Sequence, residues 1–194
     1  MADIRVAAGR KIAIISHCLL NQNVKPHQRA RYPGIVNPVL DAIQEEGYAL
    51  VQLPCPEIAF AGTRRWSQVI EQYDTPKYRH HCRDLASQSI DQIDHFLRDN
   101  TFTLVLIGLE GSPSCGVQLT GSSSEWQGYP GAVEMNGKYP VKKGTGLFMQ
   151  ALQREIKSRG LIVPPMLAVG LDLYGIDLDQ IGPRLRTELK ELFA

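Results

Sequence analysis

Three thiols end three aliphatic runs. KIAIIS (11–16) leads into His17-Cys18, YALVQL (48–53) into Pro54-Cys55-Pro56-Glu57, and the run from Phe102 to Leu109 into the Gly-Ser-Pro-Ser-Cys-Gly turn at 111–116 that carries Cys115. A fourth cysteine, Cys82, lies inside a helical pattern with no turn, Pro or Gly beside it, and it reads as a small core hydrophobe. The N-terminal MADIRVAAGRKIAII is charged at Asp3, Arg5, Arg10 and Lys11 and has no long apolar stretch, so it reads as neither a secretion signal nor a membrane span. A cytoplasmic setting is expected, where thiols stay reduced and structural disulfides are rare. None of the CxxC spacings of zinc ribbons or bacterial ferredoxins occurs. If the cysteines act together, the fold must gather them.

The aliphatic runs read as buried β-strands, with a fourth from Met166 to Leu171. Between them lie helical patterns. One runs from Asn37, as candidate N-cap, through Val39, Leu40 and Ile43 to a stop at Gly47; another runs from Thr75 to about Asn100. A third helix is capped by Thr145 and stops at Gly160, and a C-terminal one opens at Asp177 or Asp179. Residues 120–144 are rich in Gly and Ser, with a hairpin expected at 134–139 around Asn136-Gly137, and the stretch reads as a flap. Strands alternating with helices imply right-handed crossovers and a mainly parallel sheet covered on both faces, an α/β, Rossmann-like three-layer fold. The length suits one domain spanning 1–194.

In such a sheet the binding crevice lies beyond the carboxyl ends of the strands. Cys18, Cys55 and Cys115 each sit at such an end, and neighbouring strands lie about 5 Å apart, so the thiols can converge around one object. Soft thiolates select zinc, copper(I) or iron–sulfur clusters over hard cations. A cubane held by three cysteines leaves one iron open. No G-x-G-x-x-G follows the first strand, so a dinucleotide is not supported. Lys and Arg (21) balance Asp and Glu (20), so neither nucleic acid nor a membrane is an expected partner.

In order and spacing, His-Cys-Leu-Leu-Asn (17–21), Cys-Pro-Glu (55–57) and Ser-Pro-Ser-Cys-Gly (112–116) resemble the signature blocks of the thiouracil desulfidase family. The resemblance implies a [4Fe-4S] cluster on Cys18, Cys55 and Cys115, with one iron not ligated by protein. It implies removal of sulfur as sulfide from a small thiolated substrate by non-redox hydrolysis. Carried over residue by residue, Glu57 becomes the general base for the attacking water, and Ser112 and Ser114 orient substrate or bond to cluster sulfur. The chain departs from the family's usual runs after Cys-Pro-Glu, where it reads Ile58 to Trp66, and after the first block, where it reads Asn21-Gln-Asn-Val-Lys25. Those stretches would grip substrate, which marks a divergent branch.

Other residues keep two readings. Arg64, Arg65 and Trp66 either engage a heterocycle or form a solvated face. Asn21 and Asn23 either reach the pocket or satisfy a turn. His17 is either a proton donor or a strand-end residue bonded locally. His80 and His81 fall on the outer half of their helix, without chemistry. At the level of function, two alternatives stand beside the desulfidase: a cluster-free hydrolase with Cys115 as nucleophile assisted by His17 and Glu57, and a non-enzymatic iron–sulfur sensor or sulfur carrier.

Overall fold

A computed structural model describes residues 10–26, 29–125, 139–171, 173 and 175–192. Four short strands form one parallel sheet: β1 (Lys11–Ile15), β2 (Ala49–Gln52), β3 (Thr103–Leu109) and, late in the chain, β6 (Met166–Val169), in the order β2-β1-β3-β6. β1 pairs with β2 on one side, Ile15 beside Gln52, and with β3 on the other, Ile15 beside Ile107. The chain thus leaves β1 toward one edge for β2 and toward the other for β3, which makes the β1/β3 boundary a topological switch point.

The central strands are apolar throughout because both faces are covered. Ile12, Ala13, Ile14 and Ile15 are buried, as is every residue of β3 from Leu104 to Leu109. The helices that cover them are α2 (Asn37–Glu45) with α7 (Ile181–Glu191) and α5 (Pro76–Arg98) with α6 (Leu147–Ser158), each pair in contact. In α5 the buried residues Tyr78, Cys82, Ala86, Ser89, Ile90 and Ile93 recur at helical spacing, and Thr75 caps the start by accepting from Tyr78 N at 3.2 Å. This is the α/β, Rossmann-like three-layer arrangement expected from the pattern. No helix of the described residues is long and apolar enough to cross a membrane.

Three local expectations are corrected. Asn37 is the first residue of α2 and Val36 is its cap, since Val36 O accepts from Val39 N and Leu40 N while its own N bonds to Leu19 O. Gly146, not Thr145, caps α6, because the Thr145 hydroxyl donates to Val117 O at 2.9 Å instead. Asp177 opens a 3₁₀ turn, Leu178–Gln180, and α7 begins only at Ile181. Within the Gly/Ser-rich stretch, β4 (Leu119–Gly121) and β5 (Val141–Lys143) form an antiparallel pair that the sequence did not reveal. The hairpin expected at 134–139, and the flap from Trp126, lie outside the described residues except for Tyr139.

Candidate functional site

The three strand-end thiols meet in one cavity. β1 runs straight into α1 (His17–Leu20), a single turn that presents Cys18; β2 runs into Pro54-Cys55 and then α3 (Pro56–Ala61), whose cap is Cys55; and β3 ends in the turn that carries Cys115. Cys18, Cys55 and Cys115 line the same half-open cavity, together with Glu57, Arg65, Glu110, Ser112 and Pro113. The remaining wall is largely apolar, with Val24, Pro26, Leu109 and Leu173.

The Cys115 turn is held by its neighbours' backbone. Ser112 Oγ accepts from Ser114 N at 3.2 Å and from Cys115 N at 3.0 Å, so a short polar side chain closes the turn over the end of β3. Leu109 N donates to Cys115 O at 3.0 Å. Gly146 is pressed so close that a Cβ there would collide with Ser114 and lie 2.8 Å from Cys115 N. Ser114 is fully buried and shares a 2.7 Å hydrogen bond with Tyr78 OH, away from the cavity wall. Of the two serines, then, Ser112 faces the cavity and Ser114 ties the turn to α5.

Glu57 sits at the centre of a polar cluster. Arg65 Nε donates to Glu57 Oε2 at 3.3 Å and Ser112 Oγ donates to Glu57 Oε1 at 3.3 Å. The Arg65 side chain is only 4% exposed, and it also donates to Gly62 O at 3.1 Å and to Val24 O at 2.6 Å. Arg65 is therefore the residue of the Arg-Arg-Trp run that belongs to the site, while Arg64 and Trp66 are exposed. His81 was expected on the outer half of α5; instead its Nε2 lies 3.0 Å from Pro56 O and its ring tilts against Phe60, bracing the Cys55 turn.

Burial pushes the Cys115 thiol well above its ordinary value, and the neighbouring Cys18, Cys55 and Glu57 push it further. Burial also raises Cys55, with Glu57 adding to the effect, while the backbone N–H groups of Ile58 and Glu57 and the Arg65 cation oppose it. Cys82 is raised to about 12 by burial inside α5, outside the trio, as a core thiol should be. His17 is lowered by burial, and its Nδ1 lies 3.2 Å from Gln52 Nε2 on the edge strand, not on the cavity wall. Asn21 Oδ1 accepts from Asn23 N and Nδ2, so these two side chains satisfy a turn. The mouth carries Arg29, whose guanidinium lies 5.4 Å from the Tyr139 ring centre and whose Nε donates to Ser67 Oγ at 2.9 Å.

Among the described residues, no group of three or more His, Cys, Asp or Glu side chains is disposed to hold a single metal ion. The donor set is nonetheless soft: three thiols converge on one cavity, with two carboxylates that are already engaged, Glu57 by Arg65 and Ser112 and Glu110 by the N–H groups of Gln118 and Leu119. That chemistry suits a thiophilic group and not a hard cation.

No family model matches the sequence. An uncharacterized protein of Methanocaldococcus jannaschii, MJ0003, is 37% identical over 109 residues, which cover 56% of this chain and 69% of that protein. Among solved structures, a [4Fe-4S]-dependent thiouracil desulfidase, TudS, superposes with a TM-score of 0.50 at 23% identity, covering 93% of this chain and 99% of its own. The likeness to the solved structure is one of fold.

Proposed function

The chain belongs to the family of the uncharacterized protein MJ0003, and on that premise we propose that it is an iron–sulfur-dependent desulfidase. It would remove sulfur, as sulfide, from a small thiolated heterocycle of the thiouracil kind. The observation that carries this reading is the meeting of Cys18, Cys55 and Cys115 with Glu57 and Ser112 on one cavity wall at the switch point of the sheet. The solved desulfidase with this fold is named for its [4Fe-4S] dependence.

Cys18, Cys55 and Cys115 would hold the cluster, as the soft donors that line the cavity. When bound, such a cluster leaves one iron without a protein ligand and supplies a Lewis acid with high affinity for sulfur. Glu57 takes the proton of the water that adds to the thiolated carbon, because its carboxylate faces the cavity and is fixed at both oxygens. Arg65 and Ser112 set its orientation. Addition of water forms the carbon–oxygen bond while Glu57 holds one of its protons; the carbon–sulfur bond then breaks, Glu57 returns that proton to the sulfur, which leaves as hydrosulfide, the remaining hydroxyl proton passes to solvent as the carbonyl forms, and no electrons change hands. The apolar walls at Val24, Leu109 and Leu173 limit competing water.

Anaerobically purified protein is expected to be brown, with broad absorbance near about 400 nm and matching contents of iron and acid-labile sulfide. It is expected to release sulfide from a thiolated pyrimidine. Glu57→Gln should keep the colour and lose turnover by about 10²–10⁴-fold, an outcome that also separates an enzyme from a sensor or carrier. Colourless wild-type protein that still hydrolyses substrate would point to Cys115 as a nucleophile and defeat the proposal.

A further inference from the structure

Cys18 stands on a single helical turn, α1, and one turn has too few internal bonds to hold its own shape. Its support comes from Gln22. Were the helix to continue, Gln22 N would donate to Cys18 O; instead that N–H goes to Gly34 O at 2.8 Å, and the Gln22 side chain supplies the missing donor, Nε2 to Cys18 O at 2.5 Å. The other end of the same carboxamide, Oε1, accepts from Arg31 N at 2.9 Å. Gln22 is 1% exposed, a polar side chain buried with both ends engaged. It also governs the next stretch of wall. Gln22 opens the 3₁₀ turn Gln22–Val24, and Lys25 N returns to Gln22 O at 3.1 Å. That turn delivers Val24 and Lys25 to the cavity and aims Val24 O at Arg65 Nη2, 2.6 Å away, on the guanidinium that grips Glu57. The two stretches in which the sequence departs from the family it resembles, 21–25 and 58–66, are thus bonded to each other.

We infer that Gln22 is a positioning residue that holds the Cys18 turn against the cavity and, through Val24 O and Arg65, keeps Glu57 in line with it. The inference rests on the reading of Cys18 as a cluster anchor and Glu57 as the base. An apolar side chain of similar length at this position would fill the space yet leave Cys18 O and Arg31 N without partners, and the turn would give up its shape to find others. The cost falls on the one anchor whose support is a side chain.

The test compares full-length wild type with Gln22→Met and reads the rate of alkylation of each cysteine by peptide mass spectrometry under reducing, anaerobic conditions. In Gln22→Met, Cys18 should react about 10-fold faster than in wild type, the scale on which a lost outer-shell support acts, while Cys82, buried in α5, keeps its rate. A general loss of stability would speed Cys82 as well, so the ratio of the two separates positioning from bulk packing. Turnover per iron of the reconstituted variant should fall by about 10-fold or more. In wild type the Gln22 side-chain amide should exchange with heavy water far more slowly than that of the exposed Gln44, a readout that stands even where the variant fails to fold. An unchanged ratio of Cys18 to Cys82, or a Gln22 amide that exchanges as fast as that of Gln44, would overturn the inference and leave the desulfidase reading intact. A colourless, inactive wild type would remove that reading, while the thiol rates would still show whether Gln22 holds Cys18.

Discussion

Arg65 performs three tasks with one guanidinium: it grips Glu57, closes onto Gly62 O and reaches Val24 O at 2.6 Å. Removing it leaves a carboxylate and two carbonyls without their donor at a largely buried position. Arg65→Met should therefore cost about 3 kcal/mol of stability, measured by urea unfolding, with Arg65→Lys recovering part of it. A cost within about 0.5 kcal/mol would mean that the pair is solvated and that Glu57 is positioned by something else. Cys82→Ala is the contrasting case. It should cost about 1 kcal/mol, since the thiol fills space in α5, and should leave colour and turnover as in wild type. The cysteines were separable in the sequence because their neighbours differ: a turn after a strand for three of them, an uninterrupted helix for Cys82. Arg65 was not. Arg64 and Arg65 are chemically identical neighbours, and only the path of the chain after α3 turns one inward.

At the level of elements, the Cys115 turn depends on how closely α6 approaches it. Gly146 N donates to Gly116 O at 2.9 Å, and Phe148 N and Met149 N donate to Ser114 O at 3.0 and 3.1 Å, so the helix start is bolted to the turn through backbone alone. A methyl at Gly146 would meet backbone that cannot yield. Gly146→Ala should prise α6 from the turn, lowering the melting temperature and the iron content together, whereas a change in neither would show that the contact is compliant. Glycines in a loop are easy to read as freedom; here the requirement is proximity, which no single sequence displays. A second staple links α4 (Ile70–Tyr73) to the β4/β5 pair. Burial raises the Glu71 carboxyl, but the Ser122 hydroxyl, its own backbone, Lys142 and the Ser123 N–H outweigh that and hold it at about 2 against an ordinary 4.5. A depressed carboxylate stabilises the fold above its unfolded value and loses that contribution as pH falls from 4.5 toward about 2. Because Glu71 and Lys142 are 39% and 56% exposed, solvent screening keeps the contribution below about 1 kcal/mol. Glu71→Gln should show a flatter loss of stability across that window, and an unchanged slope would assign the acid sensitivity elsewhere.

For the molecule as a whole, the sheet order decides whether distant thiols become neighbours. Strand positions and the parallel α/β class followed from periodicity and from turns at the run ends, but β2-β1-β3-β6 did not, because any order of four buried runs has the same local pattern. Placing β1 between β2 and β3 is what sets Cys18 between the ends that carry Cys55 and Cys115. The site is thus assembled from segments spread over half of the chain, and each thiol follows a different strand. A group that binds all of them at once is bound only by the folded chain, and mass action then adds its binding energy to the folding equilibrium. Reconstituted protein should melt well above the same protein stripped by a chelator, and Cys82→Ala should keep that gap. Cys55→Ala should lose most of it even where some iron remains, because two anchors on β1 and β3 leave the β2 edge unsecured. An equal gap in wild type and Cys55→Ala would mean that iron is held at a local site formed by neighbouring residues, and the sheet order would then have no part in binding it.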